Sequence, residues 1–483
     1  MIPALALFFA GCPRGAGPPD YEGRPDAGGD ADVDSDSDSD ADTDTGDPCL
    51  DPGSVTLGAP DRLLLRGTVV TPDEVLPDSE VLVLGNEISC VGDCSGSPGA
   101  DGATVIDTAG TIFPGLVDAH DHVEYDWMVP WETPRLYVNH DDWQGSAEYG
   151  EYIDPHRIHQ DALECEMTKW GEIRALVGGT TTMQGAPQRR CIHWLVRNAE
   201  HYADLGVDRM RTNTLGIDTV DDADAATIRS QMDSGEVTAY VIHVAEGLDE
   251  SARSEFDELV RKNLLAAATV VIHGTAFGDS EWARVGDAGA KLVWSPRSNL
   301  VLYGDTTDVP AARAAGVLVA LGPDWTPSGS PSMPHEMRAA DAHDDEAWGD
   351  VLSAEDLVRM ATSDGARVLA LDEWIGRIEP GLRADLTVVA CGQDDPYRAL
   401  VEASLGRIRM VLIDGVPLYG DAPLMAASPA PFCEPIEICT VPKLVCVKAS
   451  EAPADLFDQT VGDVLSNLEG GGLSVWPLAQ CLE

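Results

Sequence analysis

The chain has 483 residues, 83 of them Asp or Glu against 31 Lys or Arg, which gives a formal charge of −52. That sign and size exclude nucleic acid and anionic lipid surfaces as partners, because both need clustered cations. With 44% hydrophobic and 24% charged residues, the chain is globular in composition and long enough to bury a large core.

Residues 2–10 form a short apolar run that ends at Gly11-Cys12. Residues 1–12 resemble a bacterial lipoprotein signal, although no basic residue precedes the run. The resemblance implies export, a lipid on Cys12, and anchoring in the cell envelope, in the periplasm or at the cell surface. A frayed apolar N-terminus is the alternative, and the run is too short to span a bilayer. Residues 13–51 hold thirteen acids and two Arg, a net of −11, with almost nothing apolar. Such a segment cannot bury enough surface to offset its ordering entropy, so a disordered acidic linker is predicted. The other −41 belongs to a body with only five Lys.

Within 52–113, β-rich runs at Arg62–Val70, Glu80–Asn86 and Thr104–Asp107 predict antiparallel strands. Over 114–372, strand-like runs at Thr180–Met183, Met210–Leu215, Thr238–Val244, Thr269–His273, Lys291–Trp294 and Val317–Leu321 alternate with helical ones. One helix, Ala354–Leu371, opens with a Ser353/Asp356 capping box. This alternation predicts an α/β fold, a (β/α)8 TIM barrel whose catalytic residues lie at the C-terminal ends of strands. The β pattern returns within 373–425, so the two flanks are expected to form one small β-sandwich domain. Residues 426–483 make a Cys-rich appendage with a helix near Ala454–Leu468. Its Cys433, Cys439, Cys446 and Cys481 contain no C-x2-C pair, which favours disulfides over zinc, and Cys90 and Cys94 are close enough for one more loop.

The candidate chemistry sits at strand ends. His120 and His122 follow the run from Phe113, and alternate strand residues face one way, so both imidazoles can address one ion. His243 follows Tyr240-Val-Ile, His273 follows Val270-Val-Ile, and Asp324 follows Ala320-Leu-Gly-Pro. One such His is weak support; four strand-like runs each ending in a potential ligand point jointly to a metal site.

These stretches resemble the amidohydrolase superfamily, in the branch that holds cytosine and guanine deaminases and the chlorotriazine hydrolases. The residues that carry the resemblance are Pro114 to His122, His243-Val-Ala-Glu246, Val271-Ile-His-Gly, Ser295-Pro-Arg-Ser-Asn299, Gly322 to Ser330 and Ile375 to Leu386. The resemblance implies that His120, His122, His243 and Asp324 bind one divalent metal, zinc or iron, with His273 beside the metal-bound water. It implies catalytic roles for Glu246, His273 and Asp324: Asp324 takes the proton of that water, Glu246 protonates the substrate, and His273 orients the attacking oxygen. No Lys falls near Thr212–Leu215, where relatives with a bridged metal pair carry one.

The implied activity is hydrolysis of a non-peptide C–N bond in a small molecule by a metal-bound hydroxide, as in deamination of an amino-heterocycle. The alternatives are ring opening of a cyclic amide, similar to imidazolonepropionases, and a non-catalytic cell-surface binding lipoprotein. Membrane contact is expected only through a lipid on Cys12, and the oligomeric state stays open. Around the site, Asp118 is expected to brace His120 or the barrel rim. Asn299 is either a plain turn residue or a support beneath the site, and His335 and Glu336 lie either behind the site or on a helix surface. The aromatic residues of Tyr125–Tyr152 form either a substrate lid or a self-packed loop.

Overall fold

The computed structural model describes residues 51–185, 195–200, 205, 209–390, 394–448 and 458–481. The expected signal 1–12, residues 13–50 of the expected linker, and the first four residues of the expected Ala454–Leu468 helix lie outside the described residues.

The N-terminal flank folds as strands β1 (Ser54–Thr56), β2 (Ala59–Val70), β3 (Val75–Leu84), β4 (Glu87–Gly92) and β5 (Ala103–Pro114). Alternation drives the pairing: Leu63 and Leu65 enter one buried cluster while Leu64 enters another with Leu82 and Cys94, so both faces of β2 are covered. β3 is antiparallel to β2 and to β4, as predicted. β5 corrects the all-antiparallel expectation, because it pairs with β2 in parallel, Leu64 opposite Val105. The connection 93–102 carries the chain back across the sheet, so β5 enters in the same direction as β2 and β4.

Next come β6 (Leu116–Asp118), β7 (Thr180–Met183), β8 (Arg197–Asn198), β9 (Met210–Asn213), β10 (Ala239–Val244), β11 (Thr269–His273), β12 (Lys291–Trp294) and β13 (Leu318–Leu321). These eight pair only in parallel, in two arcs, β6-β7-β8 and β9 through β13 in sequential order. The arcs meet beyond β13 and β6, where Ala119 N donates to Leu321 O (3.2 Å) and Asp324 N to His120 O (2.9 Å). Among the described residues no pairing joins β8 to β9, so the closed barrel expected from the sequence is present as two arcs sharing one seam. The fold is mixed α/β around a parallel sheet. Helices between the strands bury Trp282, Phe256 and Leu259 against them, and each such side chain contributes roughly 1.5–3 kcal/mol.

The C-terminal flank adds β14 (Leu386–Ala390), β15 (Ile408–Ile413), β16 (Val416–Asp421), β17 (Glu434–Ile438) and β18 (Val441–Val445). The flanks do fold together, but the expected sandwich of 52–113 with 373–425 is one ten-stranded sheet, β17-β18-β16-β15-β14-β5-β2-β3-β4 with β1 on β5. β5 spans 12 residues, long enough to pair with β1, β2 and β14, and β17 and β18 of the appendage extend the far edge.

Two helices depart from prediction. Ala354–Leu371 is two helices, Ala354–Met360 and Ser363–Val368, because Thr362 leaves helical geometry (φ −137°, ψ −95°). The Ser353/Asp356 capping box is formed as read from the sequence. The appendage helix runs Val461–Gly470 behind a Thr460/Asp463 box. Disulfides join Cys90 to Cys94, Cys433 to Cys446 and Cys439 to Cys481, in line with disulfides over zinc. Among the described residues no helix is long and apolar enough to cross a membrane.

Candidate functional site

Five residues from four strand ends converge where the arcs meet. Ligand atoms of His120, His122 and His243 lie within 4.8 Å of one another, as do those of His120, His273 and Asp324. β6 ends at Asp118, before the His pair, yet the His120 and His122 rings stand 4.9 Å apart and His120 and His243 4.8 Å. His243 shares a strand face with Ala239 and Val241, which cluster with Val270 and Ile272 of β11. Alternation alone would turn His273 to the opposite face. Its left-handed φ of +68° brings it round, and Asp324 sits in the same region at +71°. Gly322 lets the strands close up, since a Cβ there would meet His120 N and O at 2.8 Å.

The electrostatics suit a cation. His120 Nε2 is buried without a hydrogen bond, 3.3 Å from Asp324 Oδ1, and His122 Nε2 is 3.5 Å from the same oxygen. Burial, reinforced by His120, pushes His122 down to about 3, and the same causes hold His243 well below its ordinary range. Both imidazoles are therefore neutral, with lone pairs to offer. Burial works against the Asp324 carboxylate, but the imidazoles of His120, His273 and His122 keep it ionised, far below its usual value.

A second layer of contacts fixes these groups. Asp118 Oδ1 accepts from His120 N (3.1 Å), the brace expected of it. Asn299 supports the site from below, its Oδ1 3.0 Å from His273 Nδ1 while its amide donates to Thr306 and Thr307. Glu336 is fully buried, accepts from Arg297 N (3.3 Å) and is pushed up to about 8 by burial; His335 is buried against Ser332, so neither lies on a helix surface.

Four partners escape the sequence reading. Gln184 Oε1 faces His120 Nδ1 (3.2 Å), and Ser298 Oγ donates to Asp324 Oδ2 (2.5 Å). Tyr303 Oη donates to Glu246 Oε1 (2.6 Å), and His140 Nε2 meets Glu255 Oε1 (2.6 Å). Gln184 had a signal, because it directly follows β7, and Ser298 lies inside the Ser295–Asn299 motif. Nothing in the local sequence marks Tyr303 or the His140–Glu255 pair.

Glu246 is buried beside the cluster, its Oε2 3.8 Å from His273 Nε2. Before them opens a cavity of about 560 Å³, whose walls include Tyr125, Trp143, Tyr149 and Trp325 as well as His122 and Glu246. Part of the Tyr125–Tyr152 segment packs on itself and part lines the cavity. Trp131 stacks on Tyr137 and Tyr152 as loop packing, while Tyr125, Trp143 and Tyr149 face the cavity. Its register on the site is set where Asn139 bridges Gly247, at which φ is +145° and any Cβ would strike Asn139 Cα at 2.5 Å.

Residues 217–418 match the model of the amidohydrolase family. Over that stretch the chain is similar to that family. A 5-methylthioadenosine/S-adenosylhomocysteine deaminase of Desulfitobacterium hafniense is 24% identical over 425 residues, 78% of this chain and 97% of the relative. The enzyme of the same description from Halobacterium salinarum is 27% identical over 364 residues, covering 67% and 82%. Among solved structures, an adenosine deaminase from Xanthomonas campestris with bound zinc superposes with a TM-score of 0.62 at 22% identity, over 74% of this chain and 92% of that one. E. coli guanine deaminase superposes with a TM-score of 0.60 at 20% identity, over 74% and 99%. The matched segment contains His243, Glu246, His273 and Asp324, while His120 and His122 lie upstream and reach the site through β6.

Proposed function

We propose that this protein is an amidohydrolase, a metal-dependent hydrolase that releases the amino group of a flat, amino-substituted heterocycle. The observation that carries the reading is the convergence of His120, His122, His243, His273 and Asp324 beside Glu246, at the floor of an aromatic-walled cavity. The donor set fits one divalent ion, zinc or iron: neutral imidazoles, an ionised carboxylate, and a buried His120 nitrogen with no other partner. His120, His122, His243 and Asp324 would hold it. Such an ion supplies Lewis-acid activation of water and of the substrate carbon.

The chain's own groups divide the remaining work. Asp324, held by Ser298, accepts the proton lost by the attacking water. His273, steadied by Asn299, directs its Nε2 at the carbon's developing negative charge. Glu246 Oε2 delivers a proton to the departing nitrogen, so that the new C–O bond replaces a C–N bond and ammonia leaves. The aromatic walls sandwich a planar ring. The deaminase descriptions of the relatives support the same chemistry. With this reading goes a (β/α)8 barrel, supported by eight parallel strands in sequential order, beside a flank-built β domain. Export with a lipid on Cys12 goes with it as well, supported by the disulfides among the described residues, which persist in oxidising compartments.

The test is direct. Metal analysis should find about one zinc or iron per chain, and a panel of heterocyclic amines and cyclic amides should include one that yields ammonia. Glu246→Gln should keep the metal while kcat falls by about 10²–10⁴. Metal-free protein purified without chelators, or a fully active Glu246→Gln, would overturn the assignment; ring opening without ammonia would move it to cyclic amides.

A further inference from the structure

Tyr303 ends the helix Pro296–Tyr303 and is almost entirely buried, yet both functions of its hydroxyl are used. Its Oη accepts from Trp143 Nε1 at 2.8 Å and stands 2.6 Å from Glu246 Oε1. An indole N–H can only donate, so the phenol oxygen must accept on that side, and its proton is left to point at the carboxylate. Burial, with Glu246 beside it, holds the phenol well above its ordinary range, and it keeps that proton. With Oε1 occupied, Oε2 is the oxygen turned toward His273.

Trp143 belongs to the segment that walls the cavity, in the helix His140–Gln144. The same segment grips Glu246 by its backbone, His140 N donating to Glu246 O (3.1 Å), and Trp143 packs against Trp325, the neighbour of Asp324 (ring centroids 5.8 Å apart). Moving this segment away would remove the indole donor, free the phenol to rotate and leave Glu246 Oε1 without its partner.

We propose that Tyr303 is a positioning residue: with Trp143 it fixes which oxygen of Glu246 exchanges the proton, and so couples the seating of the 139–144 segment to that exchange. The inference rests on the hydrolase reading above. Tyr303→Phe removes one oxygen and little else. It should lower kcat roughly ten- to hundredfold, as expected for a lost hydrogen bond to a charged group, with KM within about twofold and metal content unchanged. Trp143→Phe, which keeps an aromatic ring on the cavity wall, should lower kcat less than Tyr303→Phe does.

A second readout needs no turnover. The ¹⁵N-labelled indole N–H of Trp143, identified by its disappearance in Trp143→Phe, should shift and exchange faster with water in Tyr303→Phe. Wild-type kcat in Tyr303→Phe or an unmoved indole signal would each overturn the inference. If the wild type hydrolyses nothing while the indole signal responds, the hydrolase reading fails and the hydrogen-bond chain stands.

Discussion

His140 shows how a single side chain can tie a loop to a reactive centre. Its Nε2 lies 2.6 Å from Glu255 Oε1, and Glu255 Oε2 accepts from Ala245 N (2.7 Å), a residue held at φ +59° directly before Glu246. Burial opposes the charge on His140, but the bond to Glu255 and the carboxylate charges of Glu246 and Glu255 raise it from 6.5 to about 9. A folded value above the unfolded one means that the pair's contribution is complete below about pH 6.5 and is lost as pH climbs through about 9. The pair is mostly buried, its side chains 21% and 10% exposed, and its contribution is on the order of 1–3 kcal/mol. Denaturant unfolding at pH 6, 8 and 10 should therefore show a fall in stability of about that size, and the fall should be absent in His140→Phe. An equal fall in the variant would release His140 from this role. The sequence offers no trace of the pair, whose members are 115 positions apart.

Among the elements, the appendage is the least expected participant. Cys439 and Cys481 close a loop of sequence separation 42, and within it Gln459 O accepts from Lys169 Nζ (2.7 Å) and Trp476 O from Trp170 Nε1 (3.1 Å). Trp476 N donates to Trp127 O (2.7 Å), only five residues beyond His122. The segment thus clamps the long helix Ala147–Val177 and the start of the cavity wall. Replacing both Cys439 and Cys481 by Ser should lower the unfolding free energy by roughly 2–4 kcal/mol in urea titrations while leaving metal content intact. A change of only a few tenths would mean that packing alone holds the appendage. Strand existence was legible here through alternation and β-branched runs: β7, β11 and β12 have the predicted bounds. The parallel entry of β5 and the break at Thr362 were not, since each depends on what lies across the sheet or packs beside the helix.

For the molecule as a whole, the charge of −52 coexists with a site that gathers neutral imidazoles around a cation position, because burial discharges the histidines while the acids stay mostly at the surface. The proposed export has a direct readout: cells fed labelled palmitate should label the wild-type chain and not Cys12→Ser, and label that persists in the variant would defeat a lipid on Cys12.

The convergence of these side chains was readable from the linear chain because periodicity and spacing are local properties. His120, His122, His243, His273 and Asp324 each follow a strand-like run, and a parallel fold collects such ends at one face. The supports of that convergence were not readable. Tyr303 meets Glu246 across 57 positions, Gln184 meets His120 across 64, and Ser298 meets Asp324 across 26. Those distances follow from how strands and loops are placed against one another, and His273 reaches the cluster only because a left-handed backbone overrides the alternation of its strand.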